Sequence, residues 1–467
     1  MKKYIYCKNK ILIPKNKEQT YVYDINSKKF LLSRNNIDEV RKWVDKNYID
    51  DKEKIIRNEL LNIKNSIEKC NVVTLIFNSA EKCNLKCKYC FANEGTYNNM
   101  STKKMMTLDD YIKVYKVINA DNQLLAIEFF GGEPLLNYPI IKEFCEYVRC
   151  DRKNKNQPIP QFGIITNGTL INSEIWEFFK EFSFHTTISL DGPKEINDIN
   201  RCYKNGKGSF DDIIKNIRSN MINDECMFDA CEATLSCDIL NQMSEEDIWE
   251  YINFFDKLPC KAIAILFAID EKSQEYAENS DFVEKLNQFY SIYIEYCISH
   301  IMAGELKNYH TDIINAIRAF LVGGEISFCK AGVKQIFVNV KGEIYPCQRY
   351  YGTNQKMGHI ADYGAAKKKM MSYKRDYASR INTDCLICEY RYMCEGAACP
   401  GSNLVVNGAE SKYLKLMCIV NKVRNTQVLH KLFEILMDSS LKKSFLTKYA
   451  EYLKNIEEDK DETTIFE

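Results

Sequence analysis

The chain has 467 residues, with 64 Lys and Arg balanced by 64 Asp and Glu to a formal net charge of zero. That length supports a large core and more than one domain, and the balance excludes the basic footprint of a nucleic-acid binder or a patch drawn to an anionic membrane. No apolar run is long enough to cross a bilayer, and Met1-Lys2-Lys3-Tyr4-Ile5-Tyr6 leads into polar residues without an apolar signal core, so a cytoplasmic protein with no nucleic-acid or membrane partner is expected. The 20 cysteines would imply disulfides in a small secreted protein. In a large chain without an export signal they point to metal or cluster ligation and to a reducing, anaerobic cell. Three lie from Cys83 to Cys90 and seven from Cys329 to Cys418; the others are scattered and read as small buried hydrophobes or surface thiols.

Residues 1–70 form the first expected module. Short apolar runs at 4–6, 11–13, 20–23 and 30–32 read as strands, the last two as a hairpin around Asn26-Ser27, and 37–48 and 52–69 have helical spacing. Strands followed by helices in this order are similar to the small winged-helix-like domains of many peptide maturases, which implies recognition of a leader peptide added as a strand to a sheet edge. A cap without a ligand is the alternative.

From 71 to 310, apolar runs at 72–77, 124–130, 162–165, 186–190, 233–235 and 262–268 alternate with helical patterns such as 108–118, 140–148, 175–182, 210–221 and 245–255. Alternation of this kind predicts parallel strands with crossover helices. Functional residues are then expected at the carboxyl ends of the strands.

The first strand is followed directly by Cys83, Cys87 and Cys90 in a C-x3-C-x2-C spacing, with Tyr89 before the last cysteine. Three soft thiolates suit a 4Fe-4S cluster with one iron left open. The motif resembles the signature of the radical S-adenosylmethionine (SAM) superfamily, with a zinc knuckle as the alternative. The resemblance implies an α/β fold built on a partial (β/α)6 TIM-like barrel, with SAM on the open iron. It also implies cleavage of SAM to a 5′-deoxyadenosyl radical that abstracts hydrogen, and a reductant such as flavodoxin or ferredoxin.

Gly131-Gly132-Glu133-Pro134 follows the second strand and matches the family's GGEP motif, whose backbone and Glu contact the amino group of SAM. Two glycines let a backbone come close to a ligand, and a carboxylate accepts from an ammonium group. Thr166-Asn167-Gly168-Thr169-Leu170 and Ser189-Leu190-Asp191-Gly192-Pro193 end the next two strands and resemble stretches that meet the ribose and carboxylate of SAM in peptide-modifying members. Asn167 and Ser189 are the candidates, Asp191 the second. Arg201 is a candidate partner for the SAM carboxylate, because a guanidinium can hold a carboxylate through two hydrogen bonds. Turn and cap chemistry accounts for Asn167, Gly168 and Asp191 as well.

Residues 311–425 carry the second cysteine field. Cys329 precedes an alternating strand at Ile336, Val338 and Val340, Gly342 turns the chain towards Cys347, and Cys385, Cys388, Cys394, Cys399 and Cys418 follow. The field resembles the SPASM extension of radical SAM peptide-modifying enzymes, which implies two auxiliary 4Fe-4S clusters beside the SAM-binding one. Mapped motif to motif, Cys329, Cys347 and Cys399 hold the first auxiliary cluster and Cys385, Cys388, Cys394 and Cys418 the second. Two departures stand out: Cys394 and Cys399 are separated by four residues where the family has three, and seven cysteines stand where fully ligated members have eight. The first auxiliary cluster is then expected to keep an open iron suited to a substrate thiolate. Structural zinc is the alternative for this field. Residues 426–467 read as two helices and an acidic tail without a function.

The expected function is therefore a radical SAM maturase that takes hydrogen from a ribosomally made, cysteine-containing precursor peptide with a leader and installs a carbon-sulfur (thioether) crosslink. The alternatives are an anaerobic sulfatase-maturating, formylglycine-forming enzyme and a non-catalytic zinc or iron-sulfur peptide-binding protein. Spacing singles out no general base among the carboxylates.

Overall fold

A ten-stranded sheet runs through the centre of the molecule, and its strand order decides where the site lies. In the computed structural model, residues 5–48, 52–68, 72–97, 104–121, 123–219, 228–270, 272–324, 329–394 and 399–458 are described. Expectations that fell on residues 4, 69, 70, 220–221 and the tail from 459 lie outside them.

Six parallel strands follow one another in sequence order as neighbours: β5 (Val72–Ala80), β6 (Gln123–Gly131), β7 (Gln161–Thr166), β8 (His185–Ser189), β9 (Phe228–Leu235) and β10 (Cys260–Phe267). All six expected strands are present, most of them longer by a few residues than their apolar runs. The two-residue β11 (Tyr309–His310) pairs parallel with β10. N-terminal to these lies a separate antiparallel sheet of β1 (Ile5–Cys7), β2 (Lys10–Pro14), β3 (Thr20–Asp24) and β4 (Lys29–Ser33) in simple meander order.

The crossover helices bury one face on the sheet, as their spacing predicts. Helix Ser173–Glu181 opens on Asn172, whose side chain accepts from the Ile175 N–H, and buries Ile175, Trp176, Phe178 and Phe179. Helix Glu245–Asp256 begins with a capping box of Ser244 and Asp247 and buries Ile248, Tyr251, Ile252 and Phe255. Against these faces stand Leu75, Phe77, Ile127, Phe129, Ile164 and Ile188, all within one core. Removing such a side chain from water contributes about 1.5–3 kcal/mol.

The second cysteine field joins the same sheet. Strand β12 (Gln335–Val338) pairs parallel with β5, from Gln335 opposite Thr74 to Val338 opposite Phe77, and β13 (Glu343–Tyr345) and β14 (Gly358–His359) add antiparallel edges. Gly342 takes φ +83° at the hairpin, and a Cβ there would stand 2.9 Å from Ile360.

The N-terminal sheet packs against the C-terminal helices. Tyr21 stacks on Phe433 with ring centroids 4.6 Å apart, and the Tyr23 hydroxyl donates to the Phe320 carbonyl at 3.2 Å. Phe433 belongs to helix Lys415–Leu436, which also carries Cys418 and runs unbroken through residue 425, where a boundary was expected. Helix Lys52–Glu68 lays Ile63 and Ile67 against Leu386.

Candidate active site and metal centres

The cysteine loop leaves β5 at the carboxyl end of the sheet and is pinned by backbone hydrogen bonds. Lys86 N–H donates to Cys202 C=O at 2.7 Å and Lys88 N–H to Asn200 C=O at 3.1 Å. On the other side, Gly132 N–H donates to Ala80 C=O at 2.8 Å and Glu133 N–H to Lys82 C=O at 3.0 Å. A Cβ on Gly132 would fall 2.3 Å from the Lys82 carbonyl oxygen and 2.9 Å from Gly95 Cα. The double glycine thus lets β6 pass close to the loop that carries the cysteines, a role within the protein itself.

Cys83, Cys87 and Cys90 line one cavity of about 290 Å³. Strand ends β6 to β10 all contribute to its wall, through Phe130, Thr166, Ser189, Glu232 and Phe267 among others, so the sheet curls around it. Burial pushes the Cys83 thiol up to about 12 and the Cys87 thiol to about 11. The Cys83 sulfur accepts from the Leu85 N–H at 3.4 Å and the Asn167 side-chain amide at 3.7 Å.

The residues expected to meet a cofactor divide into two groups. Gly131, Gly132, Asn167, Ser189 and Arg201 line the cavity. Glu133, Pro134 and Asp191 are buried behind its wall. Glu133 ties two motifs together: one carboxylate oxygen accepts from Leu135 N–H at 2.9 Å and Thr166 Oγ1 at 2.8 Å, the other from Asn167 N–H at 2.8 Å. Burial raises its pKa to about 7 despite those donors. Pro134 opens the short 3-10 turn Pro134–Asn137 that Glu133 caps. Asp191 accepts from Arg201 Nε at 2.8 Å, from Thr234 N–H at 2.9 Å and from the Tyr89 hydroxyl. It therefore orients Arg201 at the cavity and anchors the tyrosine of the cysteine motif.

Several cavity residues escaped sequence reading. Glu232 and Thr234 lie on the inner face of β9, whose buried and part-buried residues alternate from Ala230 to Leu235. The signal was the alternation itself, with polar side chains facing a lumen rather than bulk water. Burial raises the Glu232 pKa, partly offset by Arg201 and Arg349, and burial together with Glu232 raises Glu128 on β6 to about 7. Gln348, Arg349 and Met417 come from the second cysteine field, far away in sequence. The Gln348 side-chain oxygen is buried and has no hydrogen-bond partner among the described residues, and with the glycine cradle this suits a cavity built to hold a ligand.

The second field assembles as two sets. Cys385, Cys388, Cys394 and Cys418 line a small pocket of about 80 Å³, closed on one side by Ile63 of the N-terminal region. Cys347 and Cys329 share a small core with Ala331 and Tyr350. Burial and then the neighbouring thiols Cys329 and Cys399 push Cys347 far above its usual range, and burial and then Cys399 push Cys329 to about 11. The same small core reaches Cys90 and contains packed aromatic rings, Tyr97 tilted against Tyr351 at 4.6 Å and edge-on to Phe91 at 5.9 Å. Among the described residues no group of three or more His, Cys, Asp or Glu is arranged to hold a metal ion. A cluster takes its thiolates on separate irons, so its ligands stand further apart than those of one ion.

Residues 77–255 match the radical SAM superfamily. An uncharacterized protein of Methanocaldococcus jannaschii is 43% identical over 141 residues, which is 30% of this chain and 46% of that protein, so the match spans less than half of that relative. A cysteine-type anaerobic sulfatase-maturating enzyme of Clostridium novyi is 27% identical over 338 residues, 68% of this chain and 86% of the enzyme. Among solved structures, anSMEcpe with bound AdoMet and the Cp18Cys peptide superposes with a TM-score of 0.62 at 19% identity, over 78% of this chain and 98% of that one, a likeness of fold. No helix among the described residues is long and apolar enough to cross a membrane. The α/β fold with its mostly parallel sheet and the match over the cysteine loop agree: the chain carries a radical SAM domain and is a homologue of the SPASM-type radical SAM enzymes.

Proposed function

We propose that the protein is a peptide maturase that forms a thioether crosslink in a ribosomally made, cysteine-containing precursor. The observation that carries this reading is the assembly of ten cysteines into three sets, one of them in a cavity ringed by strand ends. Cys83, Cys87 and Cys90 would hold the SAM-binding 4Fe-4S cluster, and Gly131, Gly132, Asn167, Ser189 and Arg201 would surround SAM. When bound, these groups supply abstraction of a hydrogen atom from an unactivated carbon. The chain's own residues place the substrate and keep water out: Asp191 fixes Arg201, Glu133 fixes the Asn167 turn, and Phe91, Phe130 and Leu266 give the cavity apolar walls.

Cys385, Cys388, Cys394 and Cys418 would close an auxiliary cluster. Cys329, Cys347 and Cys399 are three thiols for four irons, which leaves a place for the substrate sulfur. Residues 1–70 would take the leader along β4, the edge strand on which Leu31 and Leu32 are exposed. A flavodoxin or ferredoxin would supply the electron.

The test is anaerobic reconstitution followed by iron, sulfide and zinc analysis and by mass spectrometry of a cysteine-containing precursor. About twelve irons per chain are expected for three clusters, with a product that has lost two hydrogens and resists alkylation. Cys329→Ala and Cys347→Ala should abolish the crosslink; if both variants crosslink fully, the thioether reading is wrong. The relative from Clostridium novyi supports formylglycine formation as the second reading, in which the product loses its sulfur altogether. Zinc without sulfide would overturn both.

A further inference from the structure

Beside the cysteine-lined cavity lies a second, more open one of about 620 Å³. The two adjoin, with Phe91, Ile269 and Arg349 lining both. The outer cavity is walled by aromatic and aliphatic side chains, with Tyr345 and Tyr351 on one side and the exposed Val405 at the rim. Two polar groups in it bear on ligand binding. The Arg349 guanidinium lies 3.9 Å from the centroid of the Phe91 ring, and among the described residues no carboxylate stands within ion-pair distance of it. The Tyr97 residue is 7% exposed, and its hydroxyl is buried without a hydrogen-bond partner among the described residues. Tyr97 and Arg349 line the same cavity. The acid at the rim, Asp270, is exposed and accepts from Ser273 N–H at 2.6 Å, and Glu232, on which the Arg349 charge acts without an ion pair, lines the inner cavity that Arg349 also borders.

A guanidinium over a ring and a hydroxyl without a hydrogen-bond partner among the described residues, on the lining of one cavity, form a donor set for a carboxylate: N–H donors and one O–H. Arg349 acts on Glu232 only from beyond ion-pair distance, so a carboxylate brought by the ligand can take its N–H donors. We propose that Arg349 and Tyr97 form a specificity subsite for an acidic side chain, Asp or Glu, of the peptide, seated next to the residue that is modified. The inference rests on the peptide-maturase reading and adds the substrate feature that reading leaves open. In an unmodified peptide the carboxylate is the anion available, either on a side chain or at the C-terminus, and these two sources are separable.

The experiment is selection of a random heptapeptide display library, each peptide followed by a fixed Gly-Ser linker so that no free C-terminus is presented, on the full-length reconstituted protein with SAM bound. Retained peptides should be enriched in Asp or Glu at one position by about tenfold, the worth of a charge-assisted contact. The preference should vanish on Arg349→Gln, persist in weakened form on Arg349→Lys, and fall about threefold on Tyr97→Phe, which removes one neutral donor. Iron content and thermal midpoint of each variant report whether it has folded, and Tyr97→Phe stands in if Arg349→Gln has not. Enrichment without an acid, or an acid preference unchanged in both variants, overturns the subsite alone. If acids are retained only by a library with free C-termini, the site reads a terminal carboxylate and the side-chain assignment fails. A tenfold loss of SAM binding in Arg349→Gln with an unchanged peptide profile assigns Arg349 to the cofactor and overturns the proposal. Failure to enrich any peptide overturns the maturase reading as well.

Discussion

At the scale of single residues, the site is held by close backbone fit and by buried pairs behind its wall. Gly132 is the sharpest case, since any side chain there would enter the backbone of Lys82 and Gly95. Gly132→Ala should displace the cysteine loop and destabilise the protein by about 1–3 kcal/mol, and it should lose iron on reconstitution. Iron per chain and the thermal midpoint measure both effects. The Asp191–Arg201 pair is buried at 2.8 Å, so Asp191→Asn leaves a buried cation without its partner at a cost of about 3–5 kcal/mol, read by chemical denaturation. Glu128 gives a pH signature. Its folded pKa, about 7, lies above the unfolded value because of burial and Glu232, so the folded protein keeps a proton that the unfolded chain loses. Stability from this residue is full below the unfolded pKa and declines as pH rises to about 7, by up to about 3 kcal/mol. Glu128→Gln should flatten the stability profile across that window and be more stable than the native protein at pH 8.

At the scale of elements, the six parallel strands were legible because each is an apolar run between amphipathic helices, and that pattern has one economical packing. The cysteine sets were legible because ligand spacing is local for Cys83 to Cys90 and for Cys385 to Cys394. What sequence could not give is the partner of β5: the parallel pairing of Gln335 with Thr74 joins residues far apart along the chain, and no local pattern records it. That one pairing brings Gln348 and Arg349 to the cavity, which is why they were missed while Gly131 and Asn167 were found. Glu133 and Asp191 were found by motif, yet their side chains are spent on the wall, where a motif alone does not distinguish a wall from a lining. Hairpin β12–β13 also depends on Gly342, and Gly342→Val should cost about 1–3 kcal/mol from its left-handed backbone and disturb Cys347, measurable as loss of auxiliary-cluster iron with SAM binding retained.

At the scale of the whole molecule, one core runs from the N-terminal sheet through the parallel strands to the C-terminal helices. Phe433 touches both Tyr21 and Phe30, so Phe433→Ala should cost about 3–5 kcal/mol and release the N-terminal sheet. Limited proteolysis between residues 33 and 72 would then outpace cleavage elsewhere.

That contact also sets a timetable. Residues 5–33 leave the ribosome well ahead of the ring they stack on, which lies in the helix that carries Cys418. The early sheet therefore waits, with Tyr21 and Phe30 uncovered, until that helix emerges, and the four-thiol set that includes Cys418 is not complete before then. Nascent chains stalled ahead of residue 415 should accordingly engage chaperones and stay sensitive to protease at the N-terminal sheet, whereas full-length chains released under iron limitation should still close that seam.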